Sequence, residues 1–133
     1  MTAPIIRVDH YYAHPPSAVW RALTDPAVHA RWWAAGDVRA VVGHRFELDM
    51  GAWGKQPCEV VAVEHERLLA YRFAIGTLDT IITWQLDREG AGTRLVLTQE
   101  GFDLESPLAR RALEGMKPGW PLVLARLGTV LES

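Results

Sequence analysis

From His44 to Glu100 apolar and polar side chains alternate with period two, and after Ser106 the period lengthens to that of a helix. This switch constrains the fold more than any motif in the chain, because strand side chains alternate between two faces while helical ones return every third or fourth residue. Phe46, Leu48 and Met50 alternate with Arg45, Glu47 and Asp49, and the turn Gly51-Ala52-Trp53-Gly54 follows. Pro57 to Glu64 predicts the next strand. Val60, Val61 and Val63 break its alternation, which predicts a bulge or burial on both faces. His65-Glu66 is a tight connection into Leu69, Tyr71 and Phe73, which alternate with Ala70 and Arg72. Thr77 to Asp87 is the strongest strand, with Ile82, Trp84 and Leu86 on one face. Glu89-Gly90-Ala91-Gly92 predicts a hairpin loop. In Thr93 to Glu100, Leu95, Leu97 and Gln99 share one side and Arg94, Val96 and Thr98 the other.

The flanks complete the order. Ile5 to Tyr12 predicts a half-buried strand, with Ile6, Val8, His10 and Tyr12 on one face, stopped by His14-Pro15-Pro16. Pro16 or Ser17 opens a short helix whose stripe holds Val19, Trp20 and Leu23. Asp25-Pro26 predicts a cap and first position for a second, running to Trp32-Trp33. Ser106-Pro107 repeats that signature at the C-terminal helical region. Lys117-Pro118-Gly119 is expected to interrupt or kink it, leaving a stripe of Trp120, Leu124, Leu127 and Leu131 on about three turns. Strands in series followed by a helix imply α+β. The expected fold is a curved antiparallel sheet of about six strands wrapped around a long C-terminal helix, with two short helices after the first strand.

The chain's 133 residues predict one domain, spanning 1–133, without need of a disulfide or metal. Cys58 is the only cysteine, which excludes an intrachain disulfide and fits a reducing compartment. The net charge of −2 and the scattered arginines give no footprint for nucleic acid. No secretory leader or membrane span is legible, so the expected location is the cytoplasm.

Several strings resemble the helix-grip superfamily that includes START domains, the birch-pollen allergen and polyketide cyclases, often called SRPBCC. They are Val19-Trp20-Arg21-Ala22-Leu23-Thr24-Asp25-Pro26, then Arg31-Trp32-Trp33, and Val42-Gly43 ahead of Phe46. Thr83-Trp84-Gln85-Leu86, Gly92-Thr93-Arg94-Leu95, Gly101-Phe102 and Gly119-Trp120 before Leu124 and Leu127 continue the match. The chain looks most similar to bacterial proteins related to the C-terminal domain of the heat-shock ATPase activator, over nearly its whole length. The resemblance implies a cavity between sheet and final helix. It does not imply one reaction, because the superfamily holds both carriers and enzymes.

A strongly curved sheet closed by one helix cannot bring opposing side chains together everywhere, so space is expected between them. By parity its lining would include Val8, Phe46, Leu48, Tyr71, Phe73 and Ile82, then Trp84, Leu97, Trp120, Leu124 and Leu127. Trp33, near the short helices, and Trp53, at a hairpin tip, are further ligand-contact candidates, because indole rings bring large apolar area and stack on planar guests. His10, Tyr12 and Gln99 would orient the guest; His10 and Gln99 also admit plain structural readings, as a bonded core histidine and a strand-end amide. His14, His29, His44 and His65 are expected at the surface or in turns. No spacing suggests a metal site, and no cofactor motif is present. The expected partner is a small hydrophobic molecule, bound by a monomer or homodimer. An alternative is a cyclase, dehydratase or hydrolase using the same cavity, with His10 and then Tyr12 as acid or base. A third reading, a co-chaperone-like interaction module, predicts a large exposed apolar patch and a filled interior.

Overall fold

A computed structural model describes residues 5–132. Strand β1 (Ile6–Tyr12) leads into α1 (Pro16–Thr24) and α2 (Pro26–Trp32). Five strands follow: β2 (Arg45–Asp49), β3 (Lys55–Glu64), β4 (Leu68–Phe73), β5 (Thr80–Glu89) and β6 (Gly92–Glu100). Helix α3 (Pro107–Leu131) ends the fold. The sheet order is β1-β6-β5-β4-β3-β2, antiparallel throughout. The curved sheet grips α3, whose inward residues share one apolar core with those of the strands. The helix-grip architecture is the expected one.

The local signals operate as their chemistry requires. Asp25 accepts a hydrogen bond from the Ala27 N–H at 3.0 Å, and Ser106 from the Ala109 N–H at 3.3 Å, each ahead of a proline at the first helical position. The register of β3 against β4 shifts between Val60 and Ala62, and Val61 turns out to solvent. The expected bulge is there. Strand β5 starts at Thr80, later than the expected Thr77. Residues 74–79 are held as a loop because the Ala74 carbonyl accepts from the N–H groups of both Thr77 and Asp79, while Asp79 accepts from Gly76.

The expected break at Lys117-Pro118-Gly119 does not occur; α3 runs unbroken for 25 residues. Proline removes one helical hydrogen bond at a cost of ~3 kcal/mol. Here Pro118 and Pro121 both lie on the exposed side, and the carbonyls that lose donors belong to Glu114 and Lys117, also exposed. On the opposite side Trp120, Val123, Leu124 and Leu127 are buried, and each fully buried large apolar side chain contributes about 1.5–3 kcal/mol. Packing outweighs the two lost bonds.

Candidate functional site

The centre of the hollow is filled. Trp84 on β5 meets Trp120 on α3 edge to face at 5.6 Å, and Trp32 on α2 likewise at 5.6 Å. Trp33 lies 4.9 Å from Trp120 and 6.1 Å from Phe73 between ring centroids. Each fully buried indole N–H has a partner. Trp84 donates to the Tyr71 hydroxyl at 2.9 Å, Trp120 to Gln99 Oε1 at 3.0 Å, and Trp32 to the Ala22 carbonyl at 3.0 Å. Phe46, Leu48, Tyr71 and Ile82 are buried in this core, as are Leu97, Leu124 and Leu127. Gln99 is wholly buried; its amide N–H groups reach Thr80 Oγ1 at 3.0 Å and Met116 Sδ at 3.5 Å.

At one end the sheet and helix part. Between the first half of α3, the 3-10 turn Gly51–Trp53 and loop 74–79 lies a cavity of about 390 Å³. Its helical wall is a single stripe of Leu108, Arg111, Ala112, Gly115 and Met116, spaced at three and one residues as one helix face requires. Phe73, Ala74 and Leu78 make the sheet side, with Met50 and Trp53 at the turn. Trp53 is 59% exposed, presented by a turn whose flanking Gly51 and Gly54 both take positive φ, a conformation that favours glycine. Two uncharged polar side chains also line the space. Gln56 donates to the Trp53 carbonyl at 2.7 Å, and the Thr77 hydroxyl donates to the Ala74 carbonyl at 3.1 Å.

Of the residues singled out by sequence, Phe73 and Trp53 line this cavity. Trp33 lies against Phe73, and Gln99 touches the wall residue Met116. His10 and Tyr12 lie elsewhere. The Tyr12 hydroxyl donates to the Leu124 carbonyl at 2.7 Å, in the second half of α3, and the His10 ring stacks on Tyr12 at 4.5 Å. From Met116 to Leu124 the helix rises about 12 Å. The wall residues Leu108, Arg111, Ala112, Gly115 and Met116 escaped the sequence reading, because the expected break at Pro118 cut their stripe from that of Trp120. The spacing Leu108, Ala112, Gly115 was the available signal.

The buried ionisable groups are held neutral. Desolvation pushes the Cys58 thiol up to about 12, with a smaller opposing effect from the Ala74 backbone, so it is no thiolate nucleophile. Burial likewise raises the Tyr12 and Tyr71 phenols above their ordinary value. His29, expected at the surface, is buried against Trp32 and Trp33, because α2 turns its His29–Trp33 side to the core. Its Nδ1–H donates to the Ala34 carbonyl at 2.6 Å. Desolvation lowers its pKa from 6.5 to about 4, partly offset by that hydrogen bond.

The unfolded chain therefore binds a proton between about pH 6.5 and 4 that the folded chain refuses. Stability linked to His29 is fully present above that window and is lost as pH falls through it, by about 2 kcal/mol at pH 5. Urea midpoints taken at pH 7 and pH 5 measure this slope. His29→Phe should flatten it, and an unaltered slope would mean that some other group carries the acid sensitivity.

Among the described residues no cluster of three or more His, Cys, Asp or Glu is placed to hold a metal ion, and no helix is long and apolar enough to cross a membrane. No curated protein matches the chain. Solved structures do. Protein MLL2253 from Mesorhizobium loti superposes with a TM-score of 0.86 at 34% identity, covering 97% of each chain. Protein BH1534 from Bacillus halodurans gives 0.85 at 25% identity, covering 98% of this chain and 99% of its own. CalU16 from Micromonospora echinospora gives 0.78 at 27% identity, over 97% of this chain and 76% of its own. The family model for activator of Hsp90 ATPase homolog 1-like protein matches residues 13–132. That match covers almost the whole described fold, and the chain belongs to the family of activator of Hsp90 ATPase homolog 1-like proteins.

Proposed function

We propose that this chain binds a small hydrophobic molecule in the cavity between the first half of α3 and the β3–β4 end of the sheet. The supporting observation is the cavity itself, about 390 Å³ and walled mainly by apolar side chains. That volume falls within the range of about 300–1,000 Å³ usual for small-ligand sites. A guest burying about 200 Å² of apolar surface there would gain roughly 5 kcal/mol from leaving water. A co-chaperone-like interaction module calls for a large exposed apolar patch and a filled interior, and the open end of the hollow departs from the second. An enzyme would need an acid or base on its walls. The one ionisable side chain lining it among the described residues is Arg111, whose guanidinium donates hydrogen bonds and accepts none.

The test is to extract the protein purified from its native host and to weigh it under native conditions by mass spectrometry. A bound hydrophobic molecule, displaced by excess of the neutral fluorophore N-phenylnaphthylamine, is the expected result. Failure of that fluorophore to bind the emptied protein at concentrations up to its solubility limit would sink the reading.

A further inference from the structure

We propose that the guest of this cavity carries one anionic group, a carboxylate, sulfonate or phosphate, which Arg111 holds at the mouth; this rests on the cavity being a ligand site. Arg111 occupies an unexpected place. It falls on the same helix stripe as Leu108, Ala112, Gly115 and Met116, where apolar or small residues form the rest of the wall. Among the described residues it is the one charged residue lining the cavity, and none of them brings a carboxylate to its walls to neutralise that charge.

The other arginines are mostly committed. Arg21, Arg39, Arg45, Arg67, Arg72 and Arg94 each face a carboxylate. Arg110, the sequence neighbour of Arg111, turns its guanidinium to the Leu104 carbonyl at 3.2 Å. Arg126 donates to the Trp32 carbonyl at 3.2 Å. Arg111 takes part in none of the ion pairs formed among the described residues. Its donors are therefore free for a planar oxyanion, which the guanidinium fork can meet with two parallel hydrogen bonds. Arg111 is exposed, so its guanidinium can meet an anion without full burial of either charge. On the far wall Gln56 donates to the Trp53 carbonyl and the Thr77 hydroxyl to the Ala74 carbonyl. They add no second charge, so one anionic group on an otherwise apolar body is the complement of the site.

Two probes of nearly the same shape test this. N-phenylnaphthylamine is neutral, and anilinonaphthalene sulfonate adds one anionic group to that frame. Their affinities are measured on the wild-type protein, on Arg111→Met and on Arg111→Lys. The ratio of the two on each variant cancels any general effect of the substitution on the cavity. The sulfonate preference should fall about tenfold or more in Arg111→Met, since hydrogen bonds between charged groups are among the strong ones. Arg111→Lys should restore part of it, and added salt should erode it in the wild type. A preference that survives Arg111→Met intact overturns the assignment of the anion to Arg111, while neutral binding still upholds the cavity. Loss of binding by both probes on the wild-type protein overturns the ligand site and this inference together.

Discussion

Trp84→Ala is expected to lower the free energy of unfolding by about 4 kcal/mol, the middle of the range for removing a large aromatic from a core. Trp84 is fully buried at the middle of β5, paired with Leu69 on β4 and Leu97 on β6. Its ring is where the sheet, α2 and α3 meet, through Trp32 and Trp120. Truncation leaves a void that neighbouring strands cannot close without breaking register. It also removes the donor that faces the wholly buried Tyr71 hydroxyl, and an orphaned buried polar group adds a further ~1–3 kcal/mol before relaxation. Guanidinium unfolding followed by circular dichroism would measure the loss, accompanied by a fall in Tm of about 10 °C or more. Trp84→Phe, which keeps most of the ring and loses the hydrogen bond, should cost clearly less. A loss below ~1 kcal/mol for Trp84→Ala would mean that the aromatic cluster is not the keystone joining the layers.

That keystone was half visible in the amino-acid sequence. The parity of Ile82, Trp84 and Leu86, and of Leu95, Leu97 and Gln99, placed these side chains inward, because a strand with one buried face has a strict two-residue rule. Helix starts at Asp25-Pro26 and Ser106-Pro107 were equally legible, since capping is local chemistry. Three features were not. The seven-residue α2 is too short to display a stripe, so nothing marked His29 as buried. The prolines of α3 read as a break, because sequence alone does not say which side of the helix they fall on or what packs opposite. The position of the cavity was hidden for a deeper reason. Parity says which side chains face inward, not which of them meet. The long inward residues Trp84, Trp120, Leu97 and Leu124 meet and close the middle of the hollow, whereas Ala74, Ala112 and Gly115 fall short and leave its end open.

Gly115 turns that last point into a result that can be measured. Gly115→Phe is expected to weaken uptake of a neutral apolar probe by about 70-fold, while leaving the protein as stable as before or slightly more so. A side chain added at this position meets no atom within 4 Å at its Cβ, and Gly115 lines the cavity. A phenyl ring there would deny a guest about 100 Å² of apolar contact, worth about 2.5 kcal/mol, and hence the stated factor. The helix itself benefits, since glycine is the least favourable residue after proline in a helix interior, by roughly 0.5 kcal/mol relative to phenylalanine. Most cavity-filling substitutions confound blocked binding with a damaged fold; here the two effects carry opposite signs. Titration of N-phenylnaphthylamine gives the first and thermal unfolding gives the second. Undiminished uptake by a folded Gly115→Phe protein would place the probe elsewhere, and the space beside α3 would then be a gap in the packing rather than a binding site.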